Sequence, residues 1–242
     1  MPSISLAEPV TQLKRVKIVE NGEPLVDFLD FCPKVILDRP RFNYRRETVV
    51  RRSVAERLSA ACDRLPRGYK IAVIEGWRAP VIQKRMYLFV WNRFKELHPD
   101  WSVAKLRRVV NQFSAPMDLK VPPPHTTGAA LDLALVDENG NLLDMSSPYD
   151  SHDPKGFYLK APDLSPSALL HRTILSEAVI GAGITNYPSE FWHYSYGDQG
   201  WAYRGSEPFA IYGAITPIDW SIDPNDSHDG PLTIMDTLNP EA

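Results

Sequence analysis

The sequence predicts an α+β fold, with helices packed on one side of an antiparallel sheet. Two patterns predict it: apolar residues at helical spacing cluster early in the chain, and short apolar runs that read as strands cluster late. A third observation sets the scale. The 242 residues, 43% hydrophobic and 24% charged, can fill the core of one ordinary domain.

The elements follow in order. Arg15-Val-Lys-Ile-Val-Glu20 reads as a strand closed by the turn Asn21-Gly22. Val50, Val54, Leu58, Ala61 and Leu65 keep helical spacing, which predicts a helix over 49–65 that stops at Pro66-Arg-Gly68. Lys70-Ile-Ala-Val-Ile-Glu75 is a buried strand. Pro80 opens a second helix that runs to Leu97, where His98-Pro99 ends it, and Ser102 caps a third that ends near Ala115-Pro116. Pro122-Pro-Pro124 forces an extended segment with no helix. The strand Ala130–Val136 ends at the turn Asn139-Gly140. Ser165-Pro166 is a cap followed by proline at the first helical position, and Gly181 and Gly183 close that helix. Phe191–Tyr196 and Phe209–Tyr212 read as the last strands. The expected domain spans residues 1–215, followed by a Pro/Asp-rich tail over 216–242.

Composition excludes several function classes. With 27 Lys+Arg against 30 Asp+Glu, the chain carries no field for a polyanion. The tail after Thr216 holds six acidic residues and no Lys or Arg. The arginines at 39, 41, 45, 46, 51 and 52 form a basic cluster without an accompanying nucleic-acid motif, and read as a solvated helix face. No apolar run reaches membrane-spanning length, and the first residues lack a signal-peptide pattern. The expectation is a cytoplasmic protein without nucleic-acid or membrane partners; homo-oligomerisation stays open. Cys32 and Cys62 are too few for a disulfide scaffold, and are expected to be reduced, buried thiols.

The chemistry gathers in two stretches. In Pro124-His-Thr-Thr-Gly-Ala-Ala-Leu-Asp132, an aspartate interrupts an apolar strand, where a carboxylate is costly to bury without a partner or a metal. Gly128 permits the turn that brings His125 back towards it. The second stretch is Glu190-Phe-Trp-His193. For Glu190 and His193 to serve one site, Glu190 must lie in the turn before the strand, where Pro188-Ser189 supplies the irregularity. His125, Asp132 and His193 then make three nitrogen and oxygen ligands with a fourth position left for water, the arrangement of a catalytic zinc site. A carboxylate outside the ligand set can take the proton from that water. Singly, His125 reads as a loop histidine, Asp132 as a turn cap or arginine partner, and Trp192 and His193 as core. The constellation separates these readings.

His125-Thr-Thr-Gly128-Ala-Ala130-Leu-Asp132 approximates His-x-x-Gly-x-Ala-x-Asp. With Glu190-Phe-Trp192-His193, it resembles the zinc D-alanyl-D-alanine dipeptidases of the VanX type, which share a fold group with D,D-carboxypeptidases and the hedgehog signalling domain. Glu75-Gly-Trp-Arg78, Met145–Asp150, Tyr194–Trp201 and Ile211–Gly213 resemble further family segments, the last two its closing strands. The resemblance spans roughly residues 70–215. It implies a hedgehog/D,D-peptidase-like α+β fold and one zinc ion on His125, Asp132 and His193. It also implies Glu190 as general base, Arg78 as oxyanion stabiliser, Asp150 near the substrate's amino group, and Tyr149 as its companion. The implied substrate is a small dipeptide, with D-alanyl-D-alanine first. A murein D,D-carboxypeptidase or endopeptidase, and a non-catalytic zinc-containing binding module, are the alternatives. Pro123 departs from the family's usual serine two residues before the zinc histidine, a position that contacts substrate. It has neither hydroxyl nor amide hydrogen to offer.

Overall fold

A computed structural model describes residues 8–39, 44–117, 120–149 and 153–223. The architecture is mixed α/β. A five-stranded sheet runs in the order β2 (Ile36–Leu37), β4 (Tyr69–Glu75), β5 (Ala130–Asp137), β7 (His193–Ser195), β6 (Thr185–Asn186). Every pairing in it is antiparallel except β2 with β4. A separate antiparallel pair joins β1 (Leu25–Asp27) to β3 (Val49–Arg51).

The helices are α1 (Val10–Leu13), α2 (Phe28–Phe31), α3 (Arg52–Arg64), α4 (Pro80–Leu97), α5 (Val103–Val110), α6 (Pro166–Gly181) and α7 (Gln199–Gly205). Their starts follow from local chemistry. Ser102 accepts from the Lys105 amide at 3.3 Å and Ser165 from the Ala168 amide at 3.0 Å, each satisfying a donor that a first helical turn leaves open. Proline is the first residue of both α4 and α6, where its missing N–H costs nothing. The main core joins Val54 and Leu58 of α3 and Leu175 and Val179 of α6 to the central strands β4 and β5.

The central pair also sets the two faces of the sheet. Ile71 and Val73 lie opposite Leu135 and Leu133, so these residues share one face. A register shift between Val73 and Glu75 inserts Ile74 as an extra residue, and brings Glu75 opposite Asp132. In unbroken register Ile74 would occupy that place and Glu75 would turn to the leucine face. The irregularity therefore re-aims a carboxylate, as bulges near functional sites do.

Several expectations change. Residues 49–51, which include two valines, pair with β1 before the helix starts at Arg52. The third helix ends at Val110. The predicted strands 15–20 and 209–212 reduce to one bridge, Ile18 with Ala210. The predicted strand 191–196 keeps only residues 193–195, and α7 occupies part of the segment expected as a closing strand. Pro124, rather than forbidding a helix, starts a 3-10 turn to Thr127, because its fixed φ suits a first helical position.

The basic cluster is a solvated face only in part: Arg39, Arg45 and Arg52 are exposed, whereas Arg46 and Arg51 are drawn into the fold. Arg51 is buried and donates to the Thr127 and Glu23 carbonyls, while Arg46 donates to the Ile74 and Asp38 carbonyls. These two cations tie loops to the sheet; Arg41 lies outside the described residues. Cys32 and Cys62 are free, 3.6 Å apart at sulfur, with Cys32 buried and Cys62 half-buried. Of the tail over 216–242, residues 216–223 are described. Trp220 packs edge-on against Trp77 at 5.5 Å and its indole N–H donates to Glu47. Among the described residues no helix is long and apolar enough to cross a membrane.

Candidate metal centre and catalytic cavity

Sheet register brings the first two groups together. Asp132 of β5 lies directly opposite His193 of β7, so both side chains leave the same face. His125 comes from the 3-10 turn just before β5. Gly128 closes that turn at φ +72°, and a Cβ there would stand 2.5 Å from Leu25 Cδ2. The turn folds His125 over the strand as the sequence required.

The three donor atoms form a nearly equilateral triangle. His193 Nδ1 is 2.9 Å from Asp132 Oδ1, His125 Nε2 is 3.2 Å from the same oxygen, and the two ring nitrogens are 3.2 Å apart. All three residues are buried. A tetrahedral ion with bonds of about 2.0–2.1 Å separates its ligand atoms by roughly 3.3–3.4 Å. The triangle is thus a few tenths of an ångström tighter than a filled metal corner.

The tautomer of His125 fits as well. Its Nδ1 lies 2.8 Å from the Gly76 carbonyl oxygen, which can only accept; Nδ1 therefore carries the proton and Nε2 presents its lone pair to the cluster. Two imidazoles and a carboxylate suit a first-row divalent ion. Burial alone would raise the Asp132 carboxyl, but His125 and His193 outweigh it and hold the group well below the usual carboxylate range.

Glu190 sits in the turn before β7, with Oε2 4.0 Å from His193 Nδ1, beside the donor triangle but outside it. Burial pushes its carboxyl up to about 7, against the pull of His193. About a quarter of the side chain remains exposed to the cavity.

Arg78 follows β4 on the same side. Its Nε donates to Glu75 Oε1 at 2.8 Å, Nη2 donates to Glu75 Oε2, and Nη1 donates to Gln83 Oε1 at 2.6 Å. Gln83 is fixed in turn by the Ala115 carbonyl, at 2.8 Å. Burial works against the guanidinium charge, but Glu75 more than restores it, so Arg78 stays cationic. The Arg78 amide also donates to the His125 carbonyl at 3.1 Å, linking the arginine loop to the histidine turn.

These groups line one cavity of about 310 Å³, at the small end of the range for small-molecule sites. Its wall includes His125, Asp132, His193, Glu190 and Arg78, with apolar side chains from α4 and Pro122–Pro124. Pro123 is therefore in the wall, as the departure from the family pattern anticipates. Tyr149 is not brought there; its hydroxyl donates to Asp163 at 3.0 Å. Asp150 lies outside the described residues.

Sequence reasoning missed Glu8, Tyr44, Tyr187 and Arg204, all in the wall, and named Glu75 only as part of a motif. The rule that singled out Asp132, a carboxylate buried in an apolar strand, applies equally to Glu75, which ends one. Nothing local marks the other four.

Comparison with known proteins gives the same direction. A family model, peptidase M15, described as D-ala-D-ala dipeptidase, matches residues 32–210. The chain is 26% identical over 250 aligned positions to the D-alanyl-D-alanine dipeptidase of Synechocystis sp., covering 88% of this chain and 100% of that protein. It is 37% identical over 79 residues to the D-alanyl-D-alanine dipeptidase of Escherichia coli, covering 32% of this chain and 40% of that one.

Proposed function

Because the chain belongs to the peptidase M15 family of D-Ala-D-Ala dipeptidases, and is therefore a metallopeptidase, we propose that it is a zinc enzyme cleaving D-alanyl-D-alanine or a closely related small dipeptide. The observation that carries this reading is the donor triangle of His125, Asp132 and His193 with Glu190 beside it in one small cavity. Zinc held by those three residues supplies Lewis acidity for the peptide carbonyl and makes water easier to deprotonate.

The chain's own groups do the rest. Glu190 takes a proton from the attacking water, whose oxygen adds to the peptide carbonyl carbon. As the C–N bond breaks, Glu190 returns that proton to the leaving amine, and two free amino acids result. Burial suits Glu190 to both halves of the task, since it makes the carboxylate a stronger base than a solvated one. Arg78 presents a fixed positive charge to the oxyanion, and Glu75 and Gln83 keep its guanidinium from swinging away.

Asp150 is assigned to the substrate's amino group on the family resemblance alone. Tyr149 is left out of substrate contact because its hydroxyl is spent on Asp163. The small cavity favours a dipeptide over a murein strand, and a mere zinc-binding module needs neither Glu190 nor the braced Arg78.

The test is a dipeptide panel with metal analysis. Purified protein should hold about one zinc per chain and release free alanine from D-Ala-D-Ala, and chelation should abolish the activity. Glu190→Gln should retain zinc while turnover falls by several orders of magnitude. Full activity of that variant would overturn the base assignment, and faster cleavage of L,L-dipeptides would overturn the D-specific reading.

A further inference from the structure

The two cysteines take no part in the metal cavity, yet the fold brings them together. Cys32 closes α2, and Cys62 lies near the end of α3. Their sulfurs are 3.6 Å apart, and neither is in a disulfide. Cys32 is fully buried. Cys62 is half-buried and lines a groove of about 280 Å³ with Lys34, Leu65, Tyr69 and Lys70.

The Cys32 sulfur has the surroundings of a thiolate. The adjoining Cys62 thiol holds it down to about 6 against the effect of burial, and the Lys34 amide, the Ser59 hydroxyl and the Val35 amide donate to it in the same sense. Cys62 keeps the proton of the pair, because Cys32 and burial both raise it. One sulfur is therefore reachable and the other charged. The chain between them is tied to the arginine loop and the histidine turn. The Tyr44 hydroxyl donates to Glu75 Oε1, Arg46 to the Ile74 carbonyl at 2.7 Å, and Arg51 Nε to the Thr127 carbonyl at 2.8 Å. The Val49 carbonyl accepts from the Trp77 amide at 2.9 Å. A bond between the sulfurs would close that stretch at its base.

We infer that Cys32 and Cys62 are a dithiol site for hydrogen peroxide, oxidised reversibly to a disulfide that clamps residues 33–61 against the strands and turns holding Arg78 and His125. Peroxide enters at the groove. The Cys62 sulfur attacks one peroxide oxygen, the O–O bond breaks, and the thiol proton leaves with the departing hydroxide as water. The Cys32 thiolate then attacks the Cys62 sulfenic sulfur. The S–S bond forms, the S–O bond breaks, and the released hydroxide takes up the proton that Cys32 gave to solvent. Two thiols and one peroxide become one disulfide and two waters.

The test uses the zinc-loaded full chain and hydrogen peroxide. A non-reducing digest of the treated wild type should contain one peptide pair cross-linked at Cys32 and Cys62, and dithiothreitol should separate it. Tm should rise by roughly 5–15 °C on bridging, because a closed loop of this length restricts the unfolded chain. In Cys32→Ser the sulfenic acid has no partner, so dimedone should label Cys62. In Cys62→Ser, dimedone should leave the buried Cys32 unlabelled. Both variants should keep the zinc content of wild type and lose the peroxide-dependent rise in Tm. Two free thiols after excess peroxide, or oxidation of wild type that stops at a sulfinic acid on Cys62, would overturn the site. Label on Cys32 in Cys62→Ser would overturn the assigned roles, and a cross-link without a rise in Tm would overturn the clamp. The wild-type digest and melt stand without either variant. They use no substrate, so they succeed or fail independently of the dipeptidase reading.

Discussion

Arg78 is braced by a buried carboxylate, so removing it should have two separable effects. In Arg78→Ala, Glu75, which is 2% exposed in the wild type, loses both guanidinium bonds and among the described residues keeps the Tyr44 hydroxyl. Breaking a buried pair from one side costs about 3–5 kcal/mol, because an uncompensated charge is left behind. For a chain of this size each kcal/mol moves Tm by roughly 2–4 °C, so the variant should melt on the order of 6–20 °C lower. Adding Glu75→Gln removes the stranded charge while leaving an acceptor for Tyr44, and most of the stability should return. Activity should not return with it. Loss of an oxyanion donor typically costs about 10²–10³ in turnover, and the double variant should share that deficit. The assay is thermal unfolding, zinc content and kcat for the wild type, both single variants and the double variant. A double variant that regains turnover would show that Arg78 acts only by neutralising Glu75. A single variant that melts with the wild type would refute the buried-pair reasoning.

Other outcomes follow from the same geometry. Glu190 is pushed up to about 7 from the ordinary 4.5, so the metal-free folded protein keeps a proton that the unfolded chain gives up as pH rises through 4.5. Its ionised form therefore costs stability above that window. Without metal, Glu190→Gln should match wild type below pH 4.5 in urea melts. Above pH 7 it should exceed wild type by at most about 3 kcal/mol, less the relief from its partial exposure. Equal stabilities at both ends would contradict the burial argument. Gly128→Ala must hold alanine at φ +72° and push against Leu25, so roughly 1–3 kcal/mol of stability should go, and zinc affinity should weaken with the His125 turn; isothermal titration with zinc reads the second effect. Pro123→Ser restores a hydroxyl at a wall position whose carbonyl already caps the 3-10 turn through Thr126. KM for D-Ala-D-Ala should fall by about 5- to 10-fold with stability little changed, and an unaltered KM would remove Pro123 from substrate contact.

The legible parts of the molecule were those with a short-range physical cause. Pro80 and Ser165-Pro166 announce their helices because capping and fixed φ act within one turn. Asp132 stood out because burying a carboxylate in an apolar strand demands a reason, and Glu190 could be placed in a turn because a strand cannot present both it and His193 to one side. The remainder depended on pairing across long stretches of chain. The extra residue at Ile74 is set by the partner strand, so nothing in Lys70–Glu75 alone reveals that Glu75 faces Asp132. Arg51 and Arg46 look solvated by composition, and only the loops that fold over them supply the carbonyls that make burial affordable. Glu8 meets Arg204 across nearly the whole chain, beyond the reach of any spacing rule.

The most direct test of the account is anomalous diffraction at the zinc edge from crystals of the zinc-loaded protein. One peak per chain should lie within bonding distance of His125 Nε2, Asp132 Oδ1 and His193 Nδ1, with Glu190 outside the ligand shell. A peak bound by other residues, or imidazoles turned away from a common point in the presence of saturating zinc, would contradict it.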